Sequence, residues 1–293
     1  MVVQTDRLRR RPLVHLLRIE RLIMTDSAVT DSTPLAELFN DKGWQVVPNI
    51  LEPERVADVR DFLMSRREAL QAGFEKWIGE KIESDKDYGR HQAAIPEYED
   101  RGLEKDHRHY LTGEFDLDTR LDMRIVRLLE SERVRKAISE QVGQDTYQIH
   151  YPPMMRFKCA DSPGSLLPPH QDGPYNAHMT DFITVWVPLV DIDEEVGGII
   201  AYNGSHLTPD MEHVSAGPWA FGTKDEPTGF EEERVLMKAG DILMFPRNFI
   251  HKSAPQLSQE RKRYSIDFRI FRNPEDTKKS YYDPQEDKIV RLH

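Results

Sequence analysis

The sequence predicts a mainly β protein with flanking helices, its core a double-stranded β-helix of the jelly-roll, cupin-like kind. Two observations carry that expectation. Short apolar strand signals succeed one another between about residues 145 and 271, punctuated by glycine and proline turns. Among them stand His170-Gln171-Asp172 and, far downstream, His251. Two imidazoles and one carboxylate are the donor set of a facial triad, which grips one side of an iron ion and leaves the other side open.

Residues 1–33 read as a basic extension and flexible leader. Arg7, Arg9, Arg10, Arg11, Arg18 and Arg21 sit among Leu, Val and Ile before a second methionine, Met24. An arginine-rich presequence is one reading, while the apolar run is too short and broken for a secretory signal; a non-essential extension upstream of a second start at Met24 is preferred. The domain proper is expected over 34–272. A short helix is expected over 35–40 and a strand over 43–51. Glu52-Pro53-Glu54 opens a helix, with proline and acids in its first turn, and Val56, Val59, Phe62 and Leu63 form its stripe. Residues 73–115 are charged and hold His91, His107 and His109 without zinc-ligand spacing. They read as solvated loop or cavity rim, and as one source of substrate contacts.

One or two helices are expected over 117–142, with Leu121, Ile125, Leu128 and Leu129 on one face. Strands over 147–151 and 155–158 lead to the His-x-Asp motif. On a strand, residues two apart share a face, so His170 and Asp172 would point the same way. Thr184 to Asp191 and Ala239 to Phe245 are further strands, and Gly197, Gly198 and Gly204 serve turns between them. Residues 207–232 interrupt the pattern as a lid-like insertion, with Trp219 and Phe221 as candidate substrate-cavity wall; local packing is the competing reading. Residues 273–293 read as a polar surface tail.

Composition bounds the function. With 38% apolar and 31% charged residues, the 293-residue chain is a globular protein with a polar surface. A net charge of −11 argues against nucleic acid as a general partner, and no apolar run is long enough to span a membrane. Cys159 is the only cysteine, so no intrachain disulfide exists and a reducing, cytoplasmic setting is expected. Composition leaves the oligomeric state open; the expected partner is a small-molecule substrate.

Lys158, His170-Gln171-Asp172, Trp186, Gly204-Ser205-His206, Gly240-Asp241 and His251-x-Ser253 occur in that order. On these residues the stretch from about Met155 to Arg269 resembles the phytanoyl-CoA dioxygenase family of Fe(II)/2-oxoglutarate oxygenases. The resemblance implies that His170, Asp172 and His251 hold Fe(II), with 2-oxoglutarate and O2 as cosubstrates and ascorbate as an optional reductant. It implies an arginine on the strand after His251 for the distal carboxylate of 2-oxoglutarate. Arg263 is favoured by the Arg-x-Ser spacing to Ser265, and Arg261 is the runner-up. Gln171, Trp186 and Ser253 match cosubstrate-cavity positions, and His206 a structural corner.

Lys158 and Arg156 lie where they would reach the cosubstrate or an anionic substrate. The carboxylate of Asp172, which related halogenases lack, points to hydroxylation of an unactivated C–H in a small metabolite, with release of succinate and CO2. Nothing marks a coenzyme A site. Two alternatives stand beside this reading: the same oxidant giving desaturation, cyclisation or epimerisation, and a non-catalytic cupin-like metal-binding protein.

Overall fold

The computed structural model describes residues 33–162, 166–216 and 220–291. The basic extension, apart from Thr33, and Trp219 therefore lie outside the described residues. A 3-10 turn at Leu35–Leu38 comes first, where a short helix is expected, followed by β1 (Gln45–Val47) and a long helix α1 (Pro53–Ile78). Short helices follow: α2 (Asp85–Ala93), α3 (Ile95–Asp100), α4 (Lys105–Thr112), α5 (Leu117–Arg120), α6 (Met123–Val126) and α7 (Glu132–Val142). Next come β2 (Gln148–His150), β3 (Met154–Lys158), the single turn α8 (Asp172–Tyr175), β4 (Ile183–Pro188), β5 (Ile199–Asn203), β6 (His213–Ser215) and β7 (Phe221–Thr223). The chain continues through β8 (Glu231–Val235), β9 (Ile242–Pro246), β10 (His251–Ser253), β11 (Arg263–Phe271), β12 (Tyr281–Asp283) and β13 (Lys288–Val290).

The strands form two facing antiparallel sheets and a hairpin. The larger sheet runs β1-β9-β4-β11-β2-β12-β13, with β3 also on β11. The smaller runs β10-β5-β8, and β6 pairs with β7. This is the expected double-stranded β-helix with helices outside.

Period-two alternation explains why the larger sheet has two different faces. On β11, Ile266, Phe268 and Ile270 point outward and pack with Val185 and Val187 of β4 and Val59, Leu63 and Phe74 of α1 in one apolar cluster. Burying a side chain such as Phe268 contributes roughly 1.5–3 kcal/mol. The intervening residues, Arg263, Ser265, Asp267 and Arg269, point into the space between the sheets. A second cluster closes that space at one end, built from Trp44, Trp186, Ile199, Leu243, Phe245 and Phe249.

Helix α1 starts where Pro53 fills the first turn and stops at Gly79, whose φ of 77° reverses the chain in the left-handed region. The stripe Val56, Val59 and Leu63 is buried as expected, and Phe62 packs half-buried against it. Two motif segments act as struts for the second histidine strand. The Gly240 carbonyl accepts the N–H groups of Ile50 and Leu51, both at 2.9 Å. The Asp241 carboxylate accepts those of Asn49 and Lys238, both at 2.7 Å. Ser205 Oγ accepts the Ile250 N–H at 2.9 Å, one residue before His251. His206 packs so tightly on Gly43 that a Cβ there would lie 2.2 Å from its ring.

Four expectations are corrected. Residues 73–115 are not a solvated loop: α2, α3 and α4 lie there, with His91 and His109 buried and His107 against Phe74 and Trp77. Their charges face outward while scattered aromatics make the contact. Residues 117–142 form three helices and a 3-10 turn, because Asp116 and Asp122 cap new starts at Thr119 and Arg124. The expected surface tail over 273–293 is, in its described part 273–291, not a tail, since β12 adds to β2 through buried Tyr281 and Tyr282. Gly197 and Gly198 serve close approach rather than positive-φ turns. A Cβ at Gly197 would meet the Ala254 carbonyl at 2.4 Å, and one at Gly198 the Ile192 side chain at 2.4 Å.

Candidate metal centre

His170 and His251 face each other through a two-way backbone bridge. Each N–H donates to the other's carbonyl, at 2.9 and 3.0 Å. Their ring centroids are 4.2 Å apart. Asp172 arrives differently from the expectation. It is not on a strand but opens α8, where Gly173 packs against the Arg247 guanidinium and Pro174 permits a first helical turn. Metal-ligating atoms of His170, Asp172 and His251 still all lie within 4.8 Å of one another, and all three residues are buried.

Each imidazole is oriented by its own chain. His170 Nδ1 lies 2.8 Å from the Pro168 carbonyl and His251 Nδ1 lies 3.2 Å from that of Phe249. A carbonyl accepts only, so Nδ1 carries the proton and Nε2 keeps its lone pair for a metal. Burial holds both rings neutral; it pushes His170 down to about 3, helped by His251 beside it. Burial alone would raise the Asp172 carboxyl. The Arg269 guanidinium at 3.1 Å, with the two histidines and the Thr184 hydroxyl at 2.5 Å, overrides it and holds the acid at about 2. Two neutral imidazoles and one ionised carboxylate are the protonation states a divalent ion needs.

The triad opens into a cavity of about 180 Å³ between the sheets. Arg263, Trp186 and Ser253 line it together with the triad. Arg263 is 5% exposed, and among the described residues its guanidinium donates only to the Gly197 and Gly198 carbonyls, at 3.2 and 3.4 Å. Among the described residues no carboxylate lies within 4.0 Å of it. Burial lowers its pKa to about 10. Its Nε and the hydroxyl of Ser265, two residues on along the same strand face, are buried without hydrogen-bond partners among the described residues. An arginine fork and a hydroxyl left waiting beside three metal donors fit a dicarboxylate that also reaches the metal.

Other expected residues fall elsewhere. Arg261 is outside the cavity, half-exposed and paired with Asp193 at 2.6 Å and Glu195 at 2.8 Å. Lys158 is buried opposite Arg263 in the β3–β11 register and shares its sheet face, but it is not among the residues that line the cavity. Arg156 does line the cavity, held by Glu114 at 3.3 Å and Asp267 at 3.7 Å. Gln171 does not. Its amide turns away to the Asn248 and Pro209 carbonyls and accepts the Met211 N–H at 2.7 Å, so it anchors the insertion to the metal segment. Phe221 is exposed; its ring packs on Tyr175, whose hydroxyl accepts the Phe221 N–H at 2.7 Å. Neither 73–115 nor the described part of 207–232 contributes lining residues.

Sequence reasoning missed Arg269, Thr184, Arg120, His150 and Tyr175, all of which line the cavity. Extending the alternation from Arg263 along β11 would have found Arg269.

The histidines that line the cavity predict an acid-labile metal-free protein. His150, packed 3.0 Å from His178, is held at about 3 by burial and by that neighbour. Both His150 and His170 sit below their unfolded value near 6.5. The stability they contribute is therefore complete above pH ~6.5 and is lost as pH falls toward 3. Together they give a slope approaching about 2.7 kcal/mol per pH unit in that window. Metal-free protein should melt at progressively lower temperature between pH 7 and 5, before most carboxylates titrate. A flat melting temperature over that interval would contradict it.

A jelly roll whose inner face gathers two imidazoles, a carboxylate and a buried unpaired arginine is the architecture of the non-haem iron, 2-oxoglutarate-dependent oxygenases. The chain belongs to the phytanoyl-CoA dioxygenase (PhyH) family, which it matches over residues 39–264. It is 36% identical over 118 residues to 1-deoxypentalenic acid 11-beta-hydroxylase of Streptomyces exfoliatus, covering 37% of this chain and 42% of that one. The match thus spans less than half the relative's length. In fold it is similar to the non-haem alpha-ketoglutarate-dependent epimerase SnoN from nogalamycin biosynthesis, with a TM-score of 0.53 at 18% identity over 81% of this chain and 82% of that one. It is likewise similar to the non-haem monooxygenase ThoJ in its apo form, with a TM-score of 0.55 at 18% identity over 88% and 84%. Among the described residues no helix is long and apolar enough to cross a membrane.

Proposed function

We propose that the chain is an Fe(II)/2-oxoglutarate-dependent oxygenase that hydroxylates an unactivated C–H of a small metabolite. The overall change is 2-oxoglutarate, O2 and R–H going to succinate, CO2 and R–OH. The observation that carries this is the buried guanidinium of Arg263, with no carboxylate within 4.0 Å among the described residues, in the same cavity as the triad. A protein that only stored a metal would have no use for it. When bound, iron supplies O2 activation and the oxidising equivalent.

The chain's own residues supply the rest. His170 and His251 present Nε2 and keep the proton on Nδ1. Asp172 adds the one negative charge, steadied by Thr184 and Arg269. Arg263 and Ser265 receive the distal carboxylate of 2-oxoglutarate. Trp186, Ile199 and Phe245 wall the site against water, which strengthens every charge interaction inside.

Protein given Fe(II), ascorbate and 2-oxoglutarate should bind the ketoacid in a metal-dependent way and release succinate slowly. Its metabolite substrate should speed that release and gain one oxygen atom. Metal bound without ketoacid binding would overturn the reading in favour of a metal-storage protein. A product lacking the added oxygen would convert hydroxylation into desaturation or ring closure.

A further inference from the structure

The chain carries a formal net charge of −11, yet its cavity reverses that sign: Arg120, Arg156, Lys252, Arg263 and Arg269 face only Asp172 and Asp267. Local partners account for several of these. Lys252 reaches Glu232 at 2.7 Å, and Arg156 is shared by Glu114 and Asp267. Arg269 leans on Asp172 at 3.1 Å. Arg120 differs. Among the described residues no carboxylate lies within 4.0 Å of its guanidinium, which donates to the Pro153 carbonyl at 3.0 Å and that of Pro152 at 3.5 Å.

Loading the site as proposed above does not remove the surplus. A ferrous ion, Asp172, Arg263 and a doubly charged 2-oxoglutarate together carry no net charge. Beyond them, three guanidinium groups (Arg120, Arg156 and Arg269) face two carboxylates, those of Glu114 and Asp267.

The sheet places Arg120 and Arg269 at the end away from Arg263, with Arg156 opposite Ser265 between the two ends. Arg263 and Arg269 lie six residues apart on one face of β11, roughly 20 Å at about 3.3 Å per residue. Ile270 pairs with Ile149, so the adjoining pair joins Arg269 to His150, and Arg120 holds the Pro152–Pro153 link that follows. The cavity thus has a cosubstrate end and a second cationic end, with the triad's carboxylate against the second. A half-buried guanidinium satisfied only by carbonyls gains most from an ionised carboxylate, through charge-assisted and potentially bidentate bonds.

We propose that this second end seats a carboxylate of the substrate, that the substrate class is therefore small organic acids, and that Arg120 is the specificity-determining contact. The proposal rests on the assignment of Arg263 to 2-oxoglutarate.

The test is calorimetric titration of protein first saturated with zinc and 2-oxoglutarate, using the straight-chain acids from hexanoate to dodecanoate and the primary alcohols of equal length. At least one acid should bind about tenfold or more tighter than its alcohol, without displacing 2-oxoglutarate, and more weakly as salt is raised. In Arg120→Gln the acid-over-alcohol preference should fall below about threefold. In Arg261→Gln, altered at an exposed site, it should persist. Equal binding of acids and alcohols, no acid binding, acid binding only by displacing 2-oxoglutarate, or a preference that survives Arg120→Gln would overturn the proposal. Failure of 2-oxoglutarate to bind in the first step would instead overturn the cosubstrate reading.

Discussion

Replacing His251 by alanine is expected to lower substrate-dependent succinate formation by more than about a thousandfold, the equivalent of ~4 kcal/mol of lost transition-state stabilisation. The fold should survive. The bridge between His170 and His251 is made by main-chain N–H and C=O groups, which alanine keeps. What disappears is one of three donors within 4.8 Å. Metal titration of wild type and variant, with circular dichroism of the metal-free proteins, separates ligand loss from misfolding. Retention of even a tenth of the activity in a folded His251→Ala protein would remove the metal centre from the argument.

Arg263→Met is expected to raise the KM for 2-oxoglutarate by about a hundredfold or more, the cost of ~3 kcal/mol when a buried charge-assisted contact is lost. The same change should raise the melting temperature of the ligand-free protein. In that state Arg263 is buried with only carbonyls to meet it, and a methionine of similar length relieves the desolvation. Arg261→Ala should leave the KM within about twofold, because that side chain spends its charge on Asp193 and Glu195 at the surface. Steady-state kinetics at saturating Fe(II), beside melting curves of the three proteins, decide the matter. Equal KM effects from the two arginines would refute the separation of roles.

The legible parts of this chain were those where one side chain must do one job. Imidazole and carboxylate in one family order pointed to a shared ion, and the structure gathers all three. Strand and turn chemistry foretold two sheets with helices outside. The choice between Arg261 and Arg263 was invisible, because both alternate onto one face of any strand that contains them. Only the point where β11 begins, at Arg263, leaves Arg261 on the surface. Gln171 shows a different limit: its neighbours on both sides enter the cavity, but α8 turns its amide toward the insertion. In residues 73–115 the charges concealed helices that pack through a few aromatics such as Phe74, Tyr98 and Tyr110. Arg120 was hidden because its contacts are carbonyls some thirty positions away.

The alternation along β11 has an evolutionary corollary. Loss or gain of a single codon within 263–271 would exchange the two faces for every residue beyond it, putting polar side chains under the helices and apolar ones beside the metal site. Substitutions along that segment can be tried one at a time by drift; a frame-preserving indel there cannot. Length variation among descendants of this chain should therefore collect in the surface connections and spare this strand.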